Sequence, residues 1–373
     1  MDKETLYTIA LTQVRGIGPV TARRIYDKAG SAAAIFENLH HLPDIIPDVT
    51  PKLITLLQAD DTPLRRAEQE LEHISNKSVD CFTIQDNRYP FRLKECDDAP
   101  VVIYFCGNAN LNSQHVISMV GTRKCTPYGR DICRQFISEL KEYDPDILIV
   151  SGLAYGIDIC SHREALSNGM NTVAVMAHGL DRIYPSMHRK TAVEMTRHGG
   201  LLTEYMTGTT PEKENFVQRN RIVAGISDVT IVVESAEKGG SLITANIAHS
   251  YQREVLAFPG RIYDEHSKGC NRIIQSEMAH PLRSAEDLFN IMSWKRRGKE
   301  GRSMTQGLFV NLTEEERRLV ECLKEADEMS VGTMVSKTGM AYSAISVVLF
   351  ELENKGIVEY VGGSRYRLLR RNV

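Results

Sequence analysis

Short apolar runs alternate with amphipathic segments through the middle of the chain. Eight runs of strand length lie at residues 81–86, 101–107, 115–121, 146–152, 171–179, 200–205, 228–235 and 253–260. Between several of them, apolar residues recur at helical intervals, in segments 128–143, 158–169, 189–199 and 241–252. Nearly continuous apolar strands alternating with helices are typical of a mostly parallel sheet covered on both faces. The pattern predicts an α/β core over residues 76–294, with ligands bound at the carboxyl ends of its strands.

The first 75 residues have a different pattern, which predicts a separate helical domain. Apolar residues recur at helical intervals on both sides of the turn Gly16-Ile17-Gly18, and Pro19 suits the first turn of a helix that follows. The segment resembles a helix-hairpin-helix (SAM-like) motif, in which backbone amides meet DNA phosphates without reading the sequence. A small packing domain that kept the shape of the motif without its DNA contacts is the alternative.

The C-terminal part also differs from the core. Residues 295–308 are charged, contain glycine and lack apolar periodicity, so they predict a linker. Residues 309–373 predict three helices, the first with a capping box from Thr313 to Glu316, and then a hairpin around Gly362-Gly363. This order resembles a winged-helix domain. Its third predicted helix has few cations, so a partner-binding or packing role is open beside duplex binding. Arginines that could touch phosphates lie in or after the hairpin, at Arg365, Arg367, Arg370 and Arg371.

Composition narrows the class of protein. The chain has 373 residues and a formal net charge of −3, so binding of a polyanion has to come from local patches. Its eight cysteines include no CxxC pair, which favours reduced thiols and a cytoplasmic protein. The first residues contain no apolar signal-peptide core, and no run approaches 18 apolar residues, so neither secretion nor a membrane span is predicted.

Two glycine turns follow predicted strands and open predicted helices, at residues 120–129 and 150–158. A glycine lets the backbone approach an anion closely, and the helix start behind it offers unpaired N–H groups. Arg123 adds a planar donor group suited to phosphate oxygens, and Lys124 follows it. Neither turn has the GxGxxG pattern and GxxxxGK[ST] is absent, so dinucleotide and P-loop binding are weak interpretations. Asp158 is interpreted as a helix cap, worth about 1 kcal/mol.

The segment 213–228 combines cations with an aromatic ring. Lys213 and Phe216 are three residues apart, and Arg219, Asn220 and Arg221 follow. Cations can track the backbone of a single-stranded nucleic acid while a ring stacks on a base, at about 1–3 kcal/mol per base. The alternative is a solvated basic helix start with a buried phenylalanine.

Two further loops suit anions. Residues 239–241 open a helix with Gly-Gly-Ser, and residues 259–274 contain a loop with Lys268, Gly269 and Asn271. Four or five such loops along one sheet edge exceed what one mononucleotide needs, and predict a binding surface for a chain of phosphates.

The histidines show no paired ligand spacing and no general acid–base pair is evident, so we predict no metal, no cofactor and no catalytic residue.

These motifs, in this order and at these intervals, resemble the DNA-processing protein A family (DprA, also called Smf) over about residues 80–290. The resemblance implies an extended Rossmann-like core that binds single-stranded DNA. It also implies a non-catalytic protein that protects incoming DNA, loads the RecA recombinase onto it during natural transformation, and forms a homodimer through the core.

The resemblance also assigns residues. Together with Thr122, Lys124 and Lys268 from the loops themselves, the predicted DNA-binding set is Gly121, Thr122, Arg123, Lys124, Ser151, Gly152, Gly156, Lys213, Phe216, Arg219, Asn220, Arg221, Gly240, Ser241, Thr244, Lys268, Gly269 and Asn271. Structural positions in the loops are Tyr128, Gly129 and Asp158.

Two alternatives of other classes are kept. One is a phosphoribohydrolase-type enzyme of the same superfamily of folds that hydrolyses nucleotides, although Asn246 stands where a catalytic glutamate is wanted. The other is a transcriptional regulator that uses the winged helix.

Overall fold

The structure is a computed structural model that describes residues 3–47, 49–297, 312–324, 326, 329–355, 357–362 and 364–368. The chain divides into two compact units, Met1–Gly298 and Lys299–Val373. The predicted linker over 295–308 lies outside the described residues from residue 298 onward. The predicted domain boundaries stay predictions.

A nine-stranded sheet forms the centre of the first unit. Its strands are β1 (Asp80–Thr83), β2 (Val102–Gly107), β3 (Val116–Gly121), β4 (Leu148–Ser151), β5 (Thr172–Val175), β6 (Gly199–Thr203), β7 (Val229–Glu234), β8 (Glu254–Ala257) and β9 (His280–Pro281). Their spatial order is β1-β2-β6-β5-β4-β3-β7-β8-β9. Pairing is parallel from β6 to β9, and antiparallel where β2 meets β1 and β6. The α/β class with a mostly parallel sheet is therefore confirmed.

Each of the eight apolar runs contains one strand, and side chains alternate between two apolar layers. In β3, Val116 and Val120 face one cluster of buried residues, while Ile117 and Met119 face the other. Successive side chains of a strand point to opposite faces, so a strand covered on both sides has to be apolar throughout. Strand β9 has only two residues and no apolar run, and the sequence pattern did not predict it.

Helices cover both faces of the sheet. In the first unit they are α1 (Lys3–Gln13), α2 (Pro19–Ala29), α3 (Ala32–Glu37), α4 (Leu42–Ile45), α5 (Pro51–Gln58), α6 (Thr62–Ser75), α7 (Phe91–Lys94), α8 (Pro127–Tyr143), α9 (Ile157–Ser167), α10 (Arg189–Met195), α11 (Lys213–Gly225), α12 (Ser241–Ser250), α13 (Lys268–Gln275) and α14 (Ala285–Ile291). Short 3-10 turns lie at Leu39–His41 and Ser186–His188. The apolar faces of α11 and α12 cover one side of the sheet, and those of α8 and α14 cover the other.

The N-terminal helices pack against the antiparallel side of the sheet. Ile9 of α1 and Leu71 of α6 share a buried cluster with Val102 and Tyr104 of β2. Between α1 and α2 the chain turns at Gly16, whose φ of +85° favours glycine. Pro19 occupies the start of α2, as its position predicts. The N-terminal helices and the sheet therefore share an apolar core. The DNA-contacting role of the hairpin stays a prediction.

The order of the strands creates a switch point. From β3 the chain proceeds outward through β4, β5 and β6, and then returns to place β7 on the other side of β3. Helix α8 after β3 and helix α12 after β7 lie on opposite faces of the sheet, so a crevice is expected between their loops at the carboxyl ends of the strands. Such crevices are where open parallel sheets bind ligands.

The second unit has a core of its own. Its helices are Glu314–Leu323, Val331–Thr338 and Tyr342–Asn354, and its strands are β10 (Met329–Ser330), β11 (Val358–Gly362) and β12 (Arg365–Leu368), in the order β10-β12-β11. The predicted capping box is present: the Thr313 hydroxyl accepts from the Glu316 N–H, and the Glu316 carboxylate accepts from the Thr313 N–H. Gly363, Arg370 and Arg371, which figured in the winged-helix interpretation, lie outside the described residues.

Two whole-chain properties bear on the predictions. Among the described residues, no single helix is long and apolar enough to cross a membrane; Val331–Thr338 and Tyr342–Glu353 meet that criterion only as a pair bent by 112°. None of the eight cysteines, all of which lie in the described part of the chain, forms a disulfide.

Candidate nucleic-acid interface

The loop after β3 is anchored by a buried carboxylate. Gly121 ends the strand, and the N–H of Thr122 donates to the Glu234 carbonyl at the end of β7 over 2.7 Å. The Glu234 carboxylate accepts from the Thr126 N–H over 2.9 Å, and Thr126 in turn caps α8. Glu234 is 1% exposed. The N-terminal end of α8 is therefore occupied by the carboxylate of Glu234, a residue of the protein itself. The two cations of the loop, Arg123 and Lys124, are exposed to solvent.

Tyr128 and Gly129 hold the base of this loop. The Tyr128 hydroxyl donates to the Pro259 carbonyl over 2.6 Å. A Cβ on Gly129 would lie 2.5 Å from a carboxylate oxygen of Glu234, so only glycine allows this approach. These contacts agree with the structural roles that the resemblance implies for both residues.

The loop after β4 packs directly on the loop after β3. The Ser151 hydroxyl donates to the Met119 carbonyl over 2.6 Å, which holds it in the core and away from solvent. Gly156 has a φ of +76°, and a Cβ there would lie 2.1 Å from the Thr122 carbonyl oxygen. Asp158 is buried and accepts from the Ala154 N–H over 3.3 Å. Burial raises the pKa of Asp158, and the Arg219 guanidinium opposes this. The interpretation of Asp158 as a helix cap is therefore wrong: the cap position of α9 is Gly156, without a side-chain cap, and Asp158 in the first turn holds the preceding loop through Ala154.

Arg219 closes the space beneath these two loops. Its side chain is buried, and its guanidinium donates to the carbonyls of Gly152, over 2.7 Å, and Val175. A Cβ on Gly152 would lie 2.4 to 2.5 Å from the guanidinium, so the glycine makes room for it. Burial lowers the pKa of Arg219. The arginine is thus a buried cation whose partners are strand-end carbonyls, and its guanidinium is not exposed to solvent.

The Phe216 ring lies within reach of an exposed and a buried guanidinium. The Cζ atom of Arg123 is 5.6 Å from the ring centroid, and that of Arg219 is 5.9 Å away. Both distances are within the range of cation–π attraction. Lys213 is exposed and lies three residues earlier in α11, on the same helical face as Phe216. The structure therefore brings Arg123, Lys213 and Phe216 to one surface.

Arg221 lies on the other face of α11. Its guanidinium pairs with the buried carboxylate of Glu204, and its Nε is 4.0 Å from the Asp98 carboxylate. It is 7% exposed, so it does not lie beside Arg123 as the shared motif suggested. Two residues along a helix correspond to a rotation of about 200°, which places Arg219 and Arg221 on opposite sides. Asn220, between them, is partly exposed and accepts from the Arg219 Nε over 3.4 Å.

The third glycine turn, after β7, is held by a hydrogen bond between two of its own buried serines. The Ser241 hydroxyl donates to the Ser235 hydroxyl over 2.9 Å, and both side chains are buried. Thr244 is also buried. Gly240 is exposed, and a Cβ there would meet no atom within 4 Å. In this turn only Gly240, of the predicted set, faces solvent.

The last predicted loop meets the same turn. The Gly269 N–H donates to the Ser235 carbonyl over 2.9 Å, and a Cβ on Gly269 would lie 2.4 Å from the Ala236 carbonyl. The Asn271 amide bonds both the N–H and the carbonyl of Gly260, at 3.1 Å each, and so closes the loop. Lys268 is exposed. The exposed groups of the predicted set thus lie in loops from β3, β7 and β8 and on α11, whereas the buried ones support them.

Two half-exposed tyrosines lie in strand-end loops and were given no role by the sequence pattern. Tyr184 is 47% exposed and its ring centroid is 5.8 Å from that of Phe216. Tyr155, in the loop after β4, is 43% exposed and packs edge-on against His188 at 5.1 Å. The signal that could have found them is an aromatic residue in a strand-end loop, where burial of the ring is not expected.

Two observations on the described part of the chain concern metal binding and the hydrolase alternative. It contains no group of three or more His, Cys, Asp or Glu side chains that could hold a metal ion. Asn246, which stands where the hydrolase alternative wants a glutamate, is exposed on α12 and donates to the Leu242 carbonyl over 2.7 Å.

Comparison with known proteins gives a consistent result. A family model described as DNA recombination-mediator protein A matches residues 80–293. DNA processing protein DprA of Streptococcus pneumoniae is 39% identical over 207 residues, which cover 56% of this chain and 72% of that protein. Protein Smf of Escherichia coli is 30% identical over 335 residues, which cover 84% of this chain and 87% of that protein.

Two solved structures extend the similarity to the fold. The X-ray structure of DprA from S. pneumoniae has a TM-score of 0.64 and 33% identity, and the match covers 77% of this chain and 97% of that one. The structure reported for the single-stranded DNA binding mode of DNA processing protein A from Helicobacter pylori has a TM-score of 0.52 and 28% identity. That match covers 59% of this chain and 97% of the other.

Proposed function

Because the chain belongs to the DNA recombination-mediator protein A family, whose members include DprA and Smf, we propose that it binds single-stranded DNA at the strand-end crevice. A DNA-processing role follows from the family. The finer proposal is that Arg123, Lys213 and Phe216 form the central contact surface. We name these three residues the crevice triad.

One observation carries the proposal: the exposed Arg123 guanidinium lies 5.6 Å from the centroid of the Phe216 ring, and the exposed Lys213 lies on the same helical face as that ring. Arg123 and Lys213 can neutralise phosphates, and Phe216 offers a π-face to a base. Because the bases of a duplex are stacked on one another, only an unstacked strand can place a base on this ring. The geometry therefore favours single strands over duplexes.

Arg219 has a supporting role in this proposal. It is buried and its NH1 group donates to backbone carbonyls, so it holds the loop after β4 in position and lies 5.9 Å from the centroid of the Phe216 ring. Its positive charge still adds to the potential of the crevice. Tyr184, whose ring centroid is 5.8 Å from that of Phe216, extends the aromatic surface, and we propose that it supports a neighbouring base.

The test compares variants of the crevice triad by fluorescence anisotropy with labelled single- and double-stranded oligonucleotides at several salt concentrations. Arg123→Ala removes one phosphate contact, so affinity falls for every sequence and the salt slope decreases by about 0.7. Phe216→Ala weakens binding by about 1–3 kcal/mol per stacked base and leaves the salt slope unchanged.

The matched control is Arg134→Ala, because Arg134 is an exposed arginine of α8 that pairs with Asp131. It keeps the affinity and the salt slope of the unaltered protein. Tight binding to duplex alone, or equal effects of Arg134→Ala and Arg123→Ala, would contradict the proposal.

The remaining properties are proposed from the family resemblance. We propose a cytoplasmic, homodimeric protein that protects incoming DNA and loads the RecA recombinase on it during natural transformation or recombination. Light scattering tests the dimer. Faster RecA filament nucleation on a single strand in the presence of the protein tests loading, and Arg123→Ala should lose that acceleration together with DNA affinity.

We also propose that the protein does not turn over a substrate. Incubation with AMP and an assay for free base tests this directly, and release of adenine would favour the hydrolase alternative.

The C-terminal unit is proposed as a winged helix with a partner-binding role, since Val347 and Phe350 of its helix Tyr342–Asn354 are 59% and 64% exposed. Apolar side chains at those positions suit a protein partner better than phosphates.

A further inference from the structure

The loop after β4 contains a residue whose backbone conformation needs support. Leu153 has a φ of +57°, in the left-handed region that a bulky side chain rarely adopts. Its side chain is fully buried and shares an apolar cluster with Ile159 of α9 and Ala192 of α10. Such conformations persist only where the surrounding structure fixes them, and they are concentrated at functional sites. The groups that hold Leu153 therefore bear on the crevice.

One of these groups is the imidazole of His188, at the end of the 3-10 turn Ser186–His188. Its Nδ1 lies 2.8 Å from the Leu153 carbonyl oxygen, and the side chain is buried. A carbonyl oxygen can only accept a hydrogen bond, so Nδ1 carries the proton and donates. The preceding carbonyl, that of Gly152, accepts from the Arg219 guanidinium over 2.7 Å. Two consecutive carbonyls of the loop are thus held by buried donors from two different elements.

We propose that His188 is a positioning residue for single-stranded DNA binding, because it fixes the backbone of the loop after β4 and that loop fixes Arg123. The inference rests on the proposed function and names a further residue that the crevice needs. His188 is buried, so it acts through the loop and not by contact with the strand.

The loop after β4 is in direct contact with the backbone of Arg123. A Cβ on Gly156 would lie 2.8 Å from the Arg123 Cα and 2.1 Å from the Thr122 carbonyl oxygen. The Ile157 N–H donates to the same carbonyl over 3.2 Å. Because Leu153 is so close to these contacts in the chain, few residues are available to absorb a change in its conformation. A displacement of the loop therefore moves Arg123 within the crevice triad.

The size of the effect follows from the fraction of molecules that keep the competent loop. The apparent dissociation constant equals the intrinsic constant divided by that fraction. Without the donor, the Leu153 carbonyl is buried and unpaired in the native loop, which favours other loop conformations. One net hydrogen bond corresponds to about a three- to tenfold change in such an equilibrium, and the affinity for single strands should fall by that factor.

The first experiment compares His188→Asn with His188→Leu by fluorescence anisotropy on a labelled single-stranded oligonucleotide. The two new side chains have nearly the same shape, but only the Asn amide can donate to the Leu153 carbonyl. His188→Asn should bind like the unaltered protein, and His188→Leu should bind about three- to tenfold more weakly. Equal affinities of the two variants would overturn the proposal.

Tyr89→Phe is the control for a general loss of stability. The Tyr89 hydroxyl, in the segment between β1 and α7, is a buried donor to the Pro100 carbonyl over 2.7 Å. Its removal should lower the free energy of unfolding in urea and leave the DNA affinity unchanged. A loss of affinity equal to that in His188→Leu would mean that destabilisation alone explains the effect, and the assignment of His188 would fail.

A double-mutant cycle tests the route through Arg123. Residues that act through one another are not additive. In an Arg123→Ala background, His188→Leu should therefore have little further effect on the affinity for single strands. Full additivity of the two substitutions would contradict the assignment of His188 as a positioning residue for Arg123.

Hydrogen exchange separates this inference from the proposed function. The Ala154 N–H donates to the Asp158 carboxylate. The Ile157 N–H donates to the Thr122 carbonyl. Both amides should exchange faster in His188→Leu than in His188→Asn, while the strands of the sheet exchange alike. If this difference appears and the unaltered protein binds no single strand, the proposed function fails and the role of His188 in the loop stands. If DNA binds and the two variants exchange alike, the role of His188 fails and the function stands.

Discussion

Gly152 determines where Arg219 can lie. A Cβ on Gly152 would come 2.4 to 2.5 Å from the guanidinium, which is buried and bonded to two carbonyls. In Gly152→Ala the arginine has to move away from those carbonyls or the loop has to shift. We expect a loss of about 1–3 kcal/mol in the free energy of unfolding, measured in urea, because overpacking and lost buried hydrogen bonds act together.

Gly240→Ala is the matched control for this effect. A Cβ there would meet no atom within 4 Å, and the backbone φ of −62° is open to alanine. Its free energy of unfolding should therefore stay within about 0.5 kcal/mol of the unaltered value. Equal destabilisation by the two substitutions would show that the contact with Arg219 does not decide the outcome.

His162 makes the stability of the core depend on pH. Its Nδ1 lies 2.7 Å from the Thr172 hydroxyl, which donates onward to the Ile149 carbonyl, so Nδ1 carries the proton. Burial lowers the pKa of His162 from 6.5 to about 3, with the positive charge of Arg219 as the next cause. The folded state therefore disfavours the imidazolium, while the unfolded chain accepts it below pH 6.5.

The contribution of His162 to stability is complete above pH 6.5 and is lost as the pH falls toward 3. We expect the free energy of unfolding to decrease over that range, and to decrease less steeply in His162→Asn, whose amide can donate to Thr172 but does not titrate. Urea unfolding of both proteins between pH 7 and pH 4 measures the difference. Parallel curves would contradict a buried neutral histidine.

At the scale of secondary-structure elements, α11 separates two kinds of arginine. One face presents Lys213 and Phe216 above the buried Arg219, and the opposite face inserts Arg221 against the buried Glu204. Burial raises the pKa of Glu204, and the nearby Arg221 opposes that shift. The helix is therefore both part of the crevice and a structural element of the core.

Arg221→Ala leaves Glu204 buried without its cation, and we expect a loss of about 3–5 kcal/mol in the free energy of unfolding. The salt slope of DNA binding by the remaining folded protein should not change. Arg123→Ala gives the reverse pattern, because Arg123 is exposed. In the double variant Arg221→Met with Glu204→Leu most of the lost stability should return. A reduced salt slope in Arg221→Ala would place this arginine at the DNA after all.

These elements also show what the sequence could predict. Strands, helix starts and glycine turns follow from local periodicity and local backbone preference, and the α/β core was predicted from them. The sequence motif grouped Arg219 with Arg221 as DNA-binding residues. This part of the prediction failed because neighbouring positions in a sequence do not show how a helix is rotated relative to its sheet. The carboxylate of Glu234 at the start of α8 was also missed, because it lies 108 residues away from its partner Thr126 in the chain.

At the scale of the whole molecule, the two units have separate cores. The apolar cluster of the second unit consists of described residues between Leu312 and Leu368, while the clusters around the sheet draw only on the first unit. Hydrophobic stabilisation is local to the surfaces that are buried together. Each unit should therefore unfold without requiring the other to unfold.

We expect a chain that ends at residue 297 to keep the unfolding transition of the first unit and its affinity for single-stranded DNA. It retains Trp294, whose ring stacks on His115 at 4.1 Å, and Arg296, whose guanidinium lies 4.3 Å from the centroid of the Tyr143 ring, so the packing at the end of the first unit is preserved. Calorimetry and anisotropy measure the two properties. The matched full-length control is Leu349→Asp, which places a carboxylate at a side chain that is 0% exposed and should unfold the second unit alone. Loss of DNA binding in both proteins would mean that the second unit contributes to the binding surface, since the crevice triad remains intact in each.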